Sequence, residues 1–190
     1  MSLANKLSIF RILLVPFFVL CLVYYRPPHE WLRHAALWIF VLGVVTDAVD
    51  GYVARAMAQS TRLGTILDPL ADKLLLTTAF LCLALISTLP APYKLAAWVP
   101  ILVVSRDVIL VVGSLVIYLV TGVFEIIPSR LGKAATFAQM MTVICVLSGS
   151  HLLTIVLPVT VVLTITSGIG YLRRGNRLLN GHPTPSRVAP

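Results

Sequence analysis

Six long apolar stretches, at roughly 8–25, 34–54, 66–88, 95–120, 134–150 and 152–172, leave this 190-residue chain little room for anything else. A hydrocarbon core is crossed by roughly 20 apolar residues in a helix. Lipid offers the backbone no hydrogen bonds, so such a stretch has to satisfy its own amides as a helix. Only 12% of residues are charged, about half the ~25% of a soluble domain. The expectation is an all-α, polytopic membrane protein with six transmembrane helices. It forms one domain over 1–175, with a polar, disordered tail over 176–190 that contains Pro183, Pro185 and Pro190. The gaps carry breakers or charge: Pro27 and Pro28, the polar run 55–64, Pro90 and Pro92, and 128–133. The fifth gap, 148–151, is short. Pro16 and Pro158 fall inside stretches, where they kink a helix or sit near its end.

The net charge of +8 would suggest nucleic acid in a soluble chain. Here the bases lie at the ends of apolar stretches, where they meet anionic headgroups, and no basic-aromatic stripe exists. Nucleic acid is therefore not an expected partner; membrane lipids are. Placing the N-terminus in the cytoplasm puts Lys6, Arg11, Arg55, Arg62, Lys73, Arg130, Lys133 and the basic residues from Arg173 onward inside. Arg26, Arg33 and Lys94 then lie outside. That asymmetry predicts both termini on the cytoplasmic side. The basic start followed by 12–25 imitates a signal peptide, but no A-x-A-like site follows, so a retained first span is expected. Cys21, Cys82 and Cys145 form no C-x-x-C pair and read as small apolar residues. Trp31, Trp38 and Trp98 read as interface anchors. Ser105 has no histidine partner, which argues against a serine hydrolase.

Four of the seven acids lie close together, as Asp47, Asp50, Asp68 and Asp72. Ionised groups in or beside a span are expensive and are functional candidates by default. Their neighbours, among them Val44, Val49, Leu67 and Leu70, exclude an ordinary solvated face. Asp47 and Asp50 are three apart and Asp68 and Asp72 four apart, so each pair shares a helix face. A hairpin of the two spans would bring the faces together, and converging carboxylates need a cation between them. Oxygen donors suit Mg²⁺, Mn²⁺ or Ca²⁺, and four carboxylates can serve two ions. Gly51, Ala54 and Gly64 allow close backbone approach, and Arg55 and Arg62 add positive charge. Together these describe a diphosphate site. The bland alternative, salt bridges to Arg55, Arg62 and Lys73, leaves so dense a cluster of acids without a purpose. A divalent-metal transporter would string its carboxylates along a span, whereas these gather at one face. A silent scaffold has no need of buried charge.

Asp47-x-x-Asp50-Gly51-x-x-Ala54-Arg55, eight further residues, then Gly64-x-x-x-Asp68-x-x-x-Asp72 resembles the signature of the CDP-alcohol phosphatidyltransferase family at every fixed position. The resemblance implies CDP-diacylglycerol as donor, with its diphosphate on Mg²⁺ or Mn²⁺, two ions being expected. It implies Asp47, Asp50, Asp68 and Asp72 as metal ligands, with Asp72 also the general base. Gly51, Ala54, Arg55 and Gly64, with Arg62 nearby, would line the nucleotide groove. It further implies a homodimer in a bacterial cytoplasmic membrane, with the site facing the cytoplasm.

The acceptor is expected to be anionic, because Arg106, Arg130 and Lys133 add inward cations. Each also has a plainer explanation: an ion pair with Asp107 for Arg106, and positive-inside anchoring for the other two. The opening from Asn5 to Arg11 and the run Gly132-Lys133-x-x-Thr136-x-x-Gln139 resemble family members that use glycerol 3-phosphate. Ser105-Arg106-Asp107 is similar to members that use phosphatidylglycerol and make cardiolipin.

Overall fold

The computed structural model describes residues 3–57, 62–86, 93–121 and 130–179. They form six α-helices: α1 (Leu3–Val23), α2 (Glu30–Met57), α3 (Arg62–Leu85), α4 (Trp98–Thr121), α5 (Arg130–Ser148) and α6 (Leu153–Leu179). The fold is all-α, as the apolar stretches require. Pro90, Pro92 and Pro128 lie outside the described residues.

The short gaps show how the helices end. Arg26 is extended, and Pro27–His29 makes one 3-10 turn with proline at its start. Proline fits there because the first amides of a helix have no acceptor. Glu30 then opens α2 with a negative charge at the positive end of the helix dipole. The fifth gap is a Schellman turn. Gly149 takes φ 67°, its N–H donates to Val146 O, and the Ser150 N–H donates to Cys145 O. This left-handed conformation strains a residue with a Cβ.

One boundary needs correction. The polar tail was expected from 176, yet α6 runs to Leu179. Gly175 weakens a helix but does not break it. Arg173, Arg174 and Arg177 sit toward the C-terminal end, where cations suit the dipole. Residues 180–190 lie outside the described set. Pro16 and Pro158 fall within α1 and α6.

The helices pack as two groups. α1 lies against α2 and α3, while α6 lies against α5 and α4; α2–α5, α3–α4 and α3–α5 contacts join them. Phe18, Leu22, Phe40, Leu76, Phe80, Leu83, Leu95 and Val99 fill the centre, with the Phe18 and Phe40 rings 6.0 Å apart. Large apolar residues also cover the outside of every helix, including Phe17, Trp38, Leu85, Val111, Phe137 and Ile155. A surface so apolar marks a membrane protein. Among the described residues, Pro27–Val49, Arg130–Ser148 and Leu153–Arg173 are long and apolar enough to cross a bilayer, and Leu7–Val23 and Lys73–Leu85 are shorter apolar stretches.

Candidate active site

Asp47 and Asp50 lie one turn apart on α2, and Asp68 and Asp72 one turn apart on α3. Gly51, Ala54 and Arg55 follow on α2, and Arg62 and Gly64 open α3. The side chains of residues 50–72 lie outside the described residues, so of the four aspartates only Asp47 has a described environment.

Asp47 is half-exposed, and its Oδ1 lies 2.8 Å from Nη1 of Arg11. Arg11 comes from α1 and is fully buried. Gly43 of α2 is a close neighbour of both α1 and α3: a Cβ there would collide with Leu75 Cδ2 and would make an ordinary contact, 3.9 Å, with the Arg11 Cγ. Although Nη1 is close to Asp47, none of Nε, Nη1 or Nη2 of Arg11 has an aligned hydrogen-bond acceptor among the described residues.

A second charged cluster joins four helices. Asp107 of α4 accepts from Arg106 Nη1 through Oδ1 and from Lys73 Nζ through Oδ2, each at 2.7 Å. Lys73 follows Asp72 on α3, so one carboxylate ties the end of the acidic motif to α4. Arg106 Nη2 also donates to Ser167 Oγ on α6 at 2.9 Å and, at 3.4 Å, to the Gly132 carbonyl on α5. The plainer explanation for Arg106, an ion pair with Asp107, is therefore present, and the same guanidinium ties α4 to α5 and α6. Arg130 and Lys133 are exposed in the first turn of α5, on the same turn as Gly132. A cleft of about 320 Å³ opens beside this cluster, with Lys73, Thr77 and Asp107 at its polar edge and Val104, Val108 and Val112 as walls.

Sequence reasoning did not single out Arg11 or the Lys73–Asp107 bridge. Ser8 and Arg11, both buried, stand three residues apart on one face of α1, at the start of its apolar stretch. That pairing was the available signal. The bridge joins residues 34 apart and left none.

The donor chemistry fits a hard divalent cation. Four carboxylates on two helices supply oxygen ligands, and pairing through Oδ1 leaves Asp47 a second oxygen. Among the described residues, no three His, Cys, Asp or Glu side chains gather to hold a metal.

The model of the CDP-alcohol phosphatidyltransferase family matches residues 1–166, and the chain belongs to that family. It is thus a membrane enzyme of phospholipid synthesis, of a family that generally uses divalent metal ions. The probable phosphatidylglycerophosphate synthase of Mycobacterium tuberculosis is 32% identical over 186 residues, covering 95% of this chain and 84% of its own length. The CDP-diacylglycerol–glycerol-3-phosphate 3-phosphatidyltransferase of Bacillus subtilis is 34% identical over 155 residues, 75% of this chain and 74% of its own. The Escherichia coli enzyme of the same name is 47% identical over 78 residues, 41% of either chain.

Proposed function

We propose that this protein transfers the phosphatidyl group of CDP-diacylglycerol to glycerol 3-phosphate, giving phosphatidylglycerophosphate and CMP. The observation that carries the acceptor is the naming of its relatives: the Mycobacterium tuberculosis and Bacillus subtilis proteins, which align over most of this chain, are both named for that product or substrate. In this reading all six helices cross a bacterial cytoplasmic membrane, the site faces the cytoplasm, and two chains form a homodimer.

Asp47, Asp50, Asp68 and Asp72 would hold Mg²⁺ or Mn²⁺, in a site sized for two ions. When bound, the metal offsets charge on the diphosphate and on the departing phosphate. Gly51, Ala54 and Gly64 would line the nucleotide groove, and Arg55 and Arg62 would add positive charge for its phosphates. Arg106, Arg130 and Lys133 attract the acceptor's phosphate. Asp72 takes the proton from the acceptor hydroxyl as that oxygen attacks the lipid-bearing phosphorus. The phosphorus–oxygen bond to the CMP phosphate breaks, and CMP leaves.

A second reading takes phosphatidylglycerol as acceptor, with cardiolipin as product. It is favoured by Asp107, the residue of Ser105-Arg106-Asp107 that bridges Arg106 and Lys73. Purified protein with CDP-diacylglycerol and Mg²⁺ or Mn²⁺ decides between them. CMP release with glycerol 3-phosphate alone is the expected result. Release with phosphatidylglycerol alone establishes the second reading. Metal uptake into proteoliposomes with no CMP release under either condition would restore the transporter.

A further inference from the structure

Arg11 stands outside the acidic motif, yet it is the only described cation paired with one of the four aspartates. A guanidinium fully buried in an apolar bundle is costly unless its donors are satisfied. Arg106 shows how a buried guanidinium can be matched within this fold: its Nη1 and Nη2 donate to Asp107 and Ser167, on α4 and α6. Arg11 differs, because it has ion-pair proximity to Asp47 without aligned hydrogen bonds.

Two roles would fit a cation in this position, and the burial separates them. A substrate phosphate would need access to the N–H groups, but Nε, Nη1 and Nη2 are all closed off from solvent. The group that Arg11 does reach is Asp47, whose side chain remains 39% exposed. The arginine thus stands behind the carboxylate, on the side away from solvent. Partners in that position orient a metal ligand and commonly contribute 10–100-fold in metal affinity.

We propose that Arg11 is a positioning residue, which holds Asp47 through Oδ1 so that the carboxylate presents its second oxygen to the divalent metal. The proposal rests on the reading of Asp47 as a metal ligand.

Mn²⁺ binding to the purified, metal-free protein in detergent, followed by electron paramagnetic resonance without lipid substrate, tests it independently of turnover. Arg11→Gln is expected to weaken Mn²⁺ binding about 10–100-fold with the melting profile retained. Arg11→Lys keeps the charge but not the fork, so it should recover part of the loss. Asp47→Asn should weaken binding as well, and the double variant should bind no worse than Asp47→Asn alone. Wild-type affinity in Arg11→Gln beside a loss in Asp47→Asn overturns the proposal and leaves the metal-ligand reading standing. Additive losses in the double variant also overturn it. Wild-type affinity in Asp47→Asn sinks the metal-ligand reading itself. Should Arg11→Gln fail to fold, unchanged Mn²⁺ affinity in Arg11→Lys overturns the proposal, and a partial loss supports it.

Discussion

The α5–α6 interface and the α1–α2 interface both bury polar side chains, on opposite terms. Between α5 and α6 the groups satisfy one another. Thr142 and Thr160 hydroxyls lie 2.8 Å apart, so one donates to the other. The remaining hydroxyl proton goes to the Ala138 carbonyl, which lies 3.0 and 2.9 Å from the two oxygens. Gln139 Nε2 donates to Thr164, leaving only the Gln139 Oε1 without a partner. Lipid supplies no hydrophobic drive between helices, so small hydroxyls and close packing do that work. Between α1 and α2 a full charge, Arg11, meets a half-exposed Asp47 with its donors unaligned. Matched neutral groups fasten helices; charge that the fold leaves incompletely matched is where a ligand is to be sought.

The largest effect should fall on the acidic motif. Asp72→Asn removes the proposed base at nearly constant shape, and CMP release should drop about 10²–10⁴-fold while thermal unfolding in detergent stays near wild type. Turnover near wild type ends the general-base assignment. A large fall in melting temperature would instead make Asp72 part of the scaffold and erase the contrast between the two interfaces.

Asp107 tests the boundary between them. Asp107→Asn leaves Arg106 and Lys73 sharing a neutral amide. Removing one member of a buried pair costs about 3–5 kcal/mol; with Lys73 35% exposed, a loss near the lower end is expected. A role in the acceptor site adds a rise in the acceptor KM at temperatures where the variant is folded. Lowered stability with unchanged KM would assign the whole cluster to the scaffold.

The helices themselves were legible because their signal is local. Six apolar stretches have one solution in lipid, and the Pro27–Pro28 and 148–151 breaks lie where the chain turns. The 3.6-residue period also placed each aspartate pair on one helix face before any packing was known. Arg11 escaped for the opposite reason: on α1 it reads as an inside-facing anchor, and only α2, 36 residues later in sequence order, gives it Asp47. Asp107 likewise looked like a neighbour of Arg106 until α3 brought Lys73 to its other oxygen. The polarity of the C-terminal segment pointed the other way, yet α6 continues through Gly175 to Leu179, since a glycine inside a helix costs only about 1 kcal/mol.

Smaller effects belong to the matched interface. Thr142→Val or Thr160→Val alone should lower stability by about 0.6–1.7 kcal/mol, read from unfolding in detergent. The double variant should lose less than the sum of the two, because neither hydroxyl is left seeking a partner. CMP release should stay near wild type throughout. A double variant that melts normally but turns over slowly would show that α5–α6 also shapes the site.

The smallest effect lies in the turn before α2, where pH gives a separate handle. The buried Tyr25 hydroxyl donates to Glu30 Oε1 at 2.9 Å, and Glu30 Oε2 pairs with Arg33 at 3.1 Å. Burial, then the hydrogen bond to Glu30 and its charge, push the phenol above its ordinary value, with Arg33 opposing. The folded state therefore holds this proton more tightly than the unfolded chain. The resulting stability is fully present below the unfolded value of about 10 and fades as pH rises through the folded one. Tyr25→Phe removes the hydrogen bond, about 0.5–1.5 kcal/mol, and should flatten that alkaline decline. Melting curves of both proteins from neutral to alkaline pH check it: parallel declines would mean that another group governs the alkaline limit and that this turn, like α5–α6, holds shape alone.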